Sequence, residues 1–135
     1  MKIAYFAVAI GVFLSGCTIV REAHLYPAND IARTEGVVLA RFEAHGTGHG
    51  ATYMTLPSGE QLTGEFSIVR GGTAGFGVIF GQVYSGMTMP GGSPGTASAF
   101  GQGISMECEF YNDNFAGHGM GACRSSKGAL YRLQY

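Results

Sequence analysis

A chain of 135 residues is long enough for one domain and short for two well-cored ones. Eight basic and nine acidic side chains leave a formal net charge of −1. There is no basic stripe of the kind that neutralises a phosphate backbone, so no nucleic-acid partner is expected.

The chain opens on a short positive start at Lys2, followed by an apolar stretch of 12 residues from Ile3 to Leu14. A bilayer core needs roughly 20 apolar residues, so the stretch has the proportions of a secretory signal; an uncleaved membrane anchor is the other reading. It ends in "LSGC", Leu14-Ser15-Gly16-Cys17. This resembles the lipobox of bacterial lipoproteins, an aliphatic residue and two small ones before an invariant cysteine. The resemblance implies that residues 1–16 are removed and that Cys17 becomes the first residue, carrying acyl chains. Two or more such chains hold a protein stably at a membrane where one does not. Cys17 would then be an anchor, not a ligand or a nucleophile. Thr18 stands where the inner-membrane retention signal of that family has Asp, which implies the outer membrane, with the domain facing the periplasm.

Residues 17–34 are mixed and polar, interrupted by Pro27-Ala28-Asn29-Asp30, and read as a lipidated tether ahead of a domain over residues 35–135. From Glu35 onward the text changes to short alternating runs separated by glycine. The chain has 23 glycines and no tryptophan, and no window keeps an i, i+3, i+4 apolar rhythm long enough for a helix. Period-two alternation predicts strands over Val37 to Ala44, Ala51 to Leu56 and Gln61 to Val69. Pro57-Ser58-Gly59 is the turn between the last two, with glycine taking a positive φ. Phe76 to Tyr84 ("FGVIFGQVY") reads as an apolar strand buried on both faces. Ser85 to Thr96 reads as a loop too rich in Gly and Pro to pair, and Ala97 to Gly101 as a short strand. Three antiparallel strands then finish the chain. In "ISMECEFYN" the residues Ile104, Met106, Cys108 and Phe110 share one face; the chain returns over Gly119 to Ser125. It turns again at Ser126-Lys127-Gly128, and in "ALYRLQY" the residues Ala129, Tyr131, Leu133 and Tyr135 face inward.

An internal repeat accompanies this pattern. Gly48-His49-Gly50 is followed nine residues on by Gly59, and Gly117-His118-Gly119 nine residues on by Gly128. The unit "GHGATYMTLPSGEQLTGEF" resembles a MORN repeat, and "GHGMGACRSSKGALYRLQY" keeps its first half, with Leu133 where the pattern wants Gly. The resemblance implies a duplicated β-hairpin with Gly59 and Gly128 as its turn glycines. The run from Gly95 to Tyr135 is also similar to the ends of small uncharacterised proteobacterial lipoproteins, which implies an envelope location and carries no activity.

Cys108 and Cys123 are the cysteines left beside Cys17. Centring their hairpin between Phe115 and Ala116 sets Cys108 opposite Cys123 and Phe110 beside Gly121, where the ring would cover bare backbone. In an exported protein such a pair is expected as a disulfide, with Cα atoms about 4.4–6.8 Å apart. Two buried thiols, or a redox thiol helped by His118, are the alternatives, and no Cys-x-x-Cys spacing favours the latter. His45 and His49, four apart, share a face if that stretch is a strand, and His118 is the repeat equivalent of His49. With Met87-Thr88-Met89 they are a conceivable Zn²⁺ or Cu⁺ set, against the simpler reading of solvent-exposed loop histidines. No metal and no other cofactor is expected.

Acidic residues are scattered singly, and Ser58 and Ser126 sit in turns without a nucleophile elbow. The G-x-G matches precede no helix that could hold a phosphate. The sequence therefore points to an all-β protein, a single small antiparallel domain, barrel or sandwich, of about six to eight strands. Its expected role is non-enzymatic: a structural or binding module anchored to the outer membrane by lipid, with an envelope protein as a potential partner. The alternative is an envelope-bound inhibitor of a hydrolase such as lysozyme.

Overall fold

The computed structural model describes residues 18–46, 48–69, 76–85, 92–112 and 118–135. Its strands are β1 (Ile19–Pro27), β2 (Val38–Ala44), β3 (His49–Thr55), β4 (Gln61–Ile68), β5 (Ser93–Phe100), β6 (Ser105–Asn112), β7 (Gly119–Ser125) and β8 (Leu130–Gln134). Two short helices interrupt them, α1 (Asp30–Glu35) after β1 and α2 (Val78–Val83) after β4. Each strand pairs antiparallel with the next, and β8 pairs with β1, so the sheet closes into an eight-stranded barrel. The fold is all-β as expected, and closure decides barrel over sandwich because it leaves no edge strand unpaired.

Inward positions alternate along every strand. Leu25, Val38, Met54, Leu62, Met106, Tyr131 and Leu133 fill the interior and are inaccessible to solvent. β5 contributes only small inward residues, Gly95, Ala97 and Ala99, all buried. Large side chains from neighbouring strands occupy the space they leave, the small-large interleaving a narrow barrel requires.

The stretch expected to be a tether is instead the first strand of the barrel. β1 pairs with β2 from Ile19↔Ala44 to Leu25↔Val38, and with β8 from His24↔Gln134 to Pro27↔Tyr131. Its alternation is Ile19, Arg21, Ala23 and Leu25 on the inward side, with only the last two buried. A charge at the second inward position hides that pattern in the sequence. The Pro27-Ala28-Asn29-Asp30 interruption is where the strand gives way to α1. Asn29 caps the helix by accepting from Ala32 N–H at 3.0 Å. It also donates to the Gly128 carbonyl at 2.9 Å and accepts from Leu130 N–H at 3.0 Å, which ties α1 to the β7–β8 turn.

Two further expectations are corrected. Phe76 to Tyr84 is not a strand: Val78–Val83 is the six-residue helix α2, with Ile79 and Phe80 buried. A short apolar run does not distinguish a buried strand from a buried helix turn. What holds the helix is Glu109 of β6, a buried carboxylate that accepts the backbone N–H groups of Gly77, Ile79 and Phe80, the last at 3.1 Å. Phe80 meets Tyr111 edge-on at 5.3 Å, and Phe76 meets the same ring at 5.2 Å. The helix therefore covers the outer faces of β6 and β7, where Glu109, Tyr111 and Ala122 are buried. The second correction is β5, which begins at Ser93 and not at Ala97. Pro94 is tolerated near the strand's start, where its missing N–H is not needed, and its carbonyl accepts from Val69 N–H at 2.8 Å.

The C-terminal hairpin has the expected register: Cys108↔Cys123, Phe110↔Gly121 and Asn112↔Gly119. Cys108 and Cys123 form a disulfide inside the core, with Cα atoms 4.0 Å apart. That separation is below the expected range, and also below the about 4.5 Å at which an antiparallel pairing sets its closest directly opposed residues. The Phe110 ring lies not over Gly121 but over Gly95 on the other neighbour, where a Cβ would come within 2.4 Å of it. Gly59 and Gly128 have φ of 90° and 88°. The two turns share a hydrogen-bond pattern. Gly59 N–H donates to Leu56 and Gly128 N–H to Ser125, while Leu56 N–H donates to Glu60 and Ser125 N–H to Ala129. The duplicated hairpin is thus β3–β4 and β7–β8, two separate sectors of a closed ring.

Candidate functional site

The up-and-down path puts the β1–β2, β3–β4, β5–β6 and β7–β8 connections at one end of the barrel. α1 closes that end. Its Ala32 is fully buried in the core cluster, and Tyr131 Oη donates to Glu35 at 2.7 Å. Burial, then the hydrogen bond to Glu35 and its charge, push the Tyr131 phenol above its ordinary pKa.

The other end holds the start of β1, the end of β8 and the β2–β3, β4–β5 and β6–β7 connections, and among the described residues it is open. A cavity of about 240 Å³ enters the barrel here. Its wall is aromatic. Phe42 stands at the centre, 5.7 Å from Phe66 edge-on, 6.0 Å from Phe110 and 6.5 Å from Tyr135. Ile19, Ala44 and Ile68 form the apolar rim, and Arg21, Asn112 and Tyr135 supply the polar groups. Tyr135 Oη donates to Asn112 Oδ1 at 3.0 Å. Burial pushes its phenol up to about 12, while the positive charge of Arg21 pulls the other way.

Glycines make this wall. Phe66 packs on Gly50 of β3, where a Cβ would lie 2.7 Å from the ring and 1.9 Å from the Glu43 carbonyl oxygen. Tyr135 packs on Gly119 of β7, where a Cβ would lie 2.0 Å from Cζ. Gly50 to Phe66 and Gly119 to Tyr135 have the same spacing in the two repeat units. The repeat therefore encodes a hairpin that closes at a turn glycine and, at its far end, folds an aromatic ring over a bare backbone.

The residues singled out from sequence are distributed differently. Cys17 lies outside the described residues, as do Met87, Thr88 and Met89. Cys108 and Cys123 are joined deep in the barrel, and Gly59 and Gly128 are at its closed end. His45, His49 and His118 are exposed. His45 and His49 border a shallow outer groove over β3, β4 and β5 together with Glu65. Among the described residues no group of three or more His, Cys, Asp or Glu is placed to hold a metal ion. Ser126 is engaged in structure, its hydroxyl accepting from Ser105 N–H at 3.0 Å.

Sequence reasoning missed Arg21, Phe42 and Asn112 as one site, because they come from three strands with unremarked alternation. The recoverable signal was the glycine-to-aromatic spacing, which the repeat already contained. Comparison with protein-family models, with curated proteins and with solved structures finds no match to this chain.

Proposed function

We propose that the chain is a lipid-anchored protein of the bacterial outer membrane whose barrel is a non-enzymatic binding module, the open mouth being its site. The observation that carries this reading is the contrast between the ends among the described residues: one covered by α1, with a depression edged by Glu35, Ser58, Glu60 and Lys127, the other opening into an aromatic-walled cavity. A concave apolar wall with a few convergent polar groups is the usual form of a small-molecule site. The volume is informative. At about 240 Å³ the mouth is smaller than the ~300–1,000 Å³ of sites that enclose a whole drug-sized ligand. It suits a short apolar segment whose remainder stays outside, with Arg21 at the entrance favouring an anionic head group. The anchor at Cys17 and the outer-membrane location rest on the lipobox resemblance.

The test uses a dansyl-labelled fatty acid as probe with the oxidised chain from Thr18 onward. Saturable enhancement of dansyl fluorescence, one probe per chain, is expected, and Phe66→Glu should abolish it while the circular dichroism spectrum stays the same. No enhancement, or enhancement equal in wild type and Phe66→Glu, would contradict the assignment of the mouth.

A further inference from the structure

β1 begins at Ile19, two residues after Cys17, and Ile19 is itself part of the mouth's rim. Two fully extended residues span at most about 7 Å. Whatever is attached at Cys17 is therefore attached at the open end of the barrel, with no spacer between anchor and domain. We propose that the open mouth is a membrane-docking face: it sits on the leaflet that holds the Cys17 anchor and receives the acyl chain of a lipid from that leaflet. This rests on the reading of Cys17 as acylated.

The side chains around the opening suit such a face. Ile19 is 59% exposed and Val20 43%, and Ile68 is half-buried at the far side of the rim. Apolar side chains of this kind enter the headgroup boundary by about 5–10 Å. Among the described residues at this end, Arg21 is a cation facing the mouth, His45, His49 and His118 are exposed, and the carboxylate Glu43 is paired with Arg41. Arg21 thus offers one positive charge at the entrance to a lipid phosphate. The cavity is too small to enclose a lipid, yet it is open on the side where acyl chains would lie, so a chain end can enter while its head group stays in the leaflet. A water-borne ligand would have to pass between rim and membrane. Docking also fixes orientation: α1 and the turns at Gly59 and Gly128 point away from the bilayer.

The chain has no tryptophan, so an introduced one reports alone. Full-length protein acylated in cells is purified as Ile68→Trp and as Lys127→Trp, the latter at the sealed end. Each is reconstituted into phosphatidylethanolamine–phosphatidylglycerol vesicles with or without bromine on the acyl chains. Fluorescence of Ile68→Trp should fall by about half in brominated vesicles, the depth of a docked rim, while Lys127→Trp stays unchanged. Ala44→Trp is a second rim probe should Ile68→Trp fail to fold. Equal quenching at both ends, or no quenching at either rim position in protein that floats with the vesicles, would overturn the docking proposal and leave the anchor reading intact. Protein that carries no acyl group and does not float would overturn both.

Discussion

Gly50 and Gly119 occupy equivalent places in the two hairpins, and their substitution should have different consequences. A Cβ at Gly50 would collide with the Glu43 carbonyl, which is backbone of the neighbouring strand. Gly50→Ala must therefore push β2 and β3 apart, and a loss of roughly 1–3 kcal/mol in thermal or denaturant melts is expected. The nearest atoms that a Cβ at Gly119 would meet belong to the far end of the Tyr135 ring, a side chain and not backbone. Gly119→Ala should be milder in the melt but should displace the ring and weaken dansyl fatty-acid binding. Equal losses of stability in the two variants would contradict this difference. Tyr135 also sets a pH dependence. Its folded pKa of about 12 is above the ordinary 10.0, so its contribution to stability is complete below pH 10 and is lost as pH rises through 12. The melting temperature should hold between about pH 7 and 9 and fall above 10, and Tyr135→Phe should make the fall shallower. An identical alkaline slope in the two proteins would contradict the burial of that phenol. These residue-level roles were partly legible: the turn glycines and the Cys108–Cys123 pairing follow from alternation and register. Arg21 was not, since an inward charge is tolerable only at a barrel mouth, and the mouth exists only after closure.

At the scale of elements, β1 and α2 escaped the sequence reading for separate physical reasons. β1 has two buried inward residues, Ala23 and Leu25, because its first half forms the rim and stays wet. Half a strand of alternation beside Pro27 looks like a linker. Yet β1 is the piece that closes the ring between β2 and β8, and without it both would be long unpaired edges. A chain starting at Ala28 should therefore aggregate or populate oligomers on size exclusion, whereas a true tether could be removed without effect. A compact monomer from that truncation would refute the assignment. α2 failed because its determinant lies elsewhere in the chain. Its first-turn N–H groups are satisfied by Glu109, some thirty residues on, which no local window shows. Glu109→Gln replaces one acceptor oxygen with an N–H₂ group facing those donors, and a loss of about 1–3 kcal/mol is expected. An unchanged denaturation midpoint would mean that α2 is held by Phe80 and Ile79 alone.

Among the described residues the molecule combines a closed barrel, an end covered by α1 and an open apolar one, with the strand that follows Cys17 forming part of the opening. All-β architecture, antiparallel order and the last three strands were readable from period-two alternation. Closure was not, because it depends on pairing the first strand with the last, across the largest sequence separation in the chain. The correction has a functional consequence. A tether of residues 17–34 would have let the domain turn freely above a membrane; a strand from Ile19 sets the mouth against whatever Cys17 is attached to. Acylation of Cys17 is thus the premise on which location, orientation and ligand class depend. It is tested most directly by the intact mass of the protein extracted from cell envelopes after growth with a palmitate analogue. The account predicts a chain that begins at Cys17, is heavier than its residues by the added acyl groups, and gives no labelled species in Cys17→Ser. A chain beginning at any other residue, or an unmodified Cys17, would contradict it.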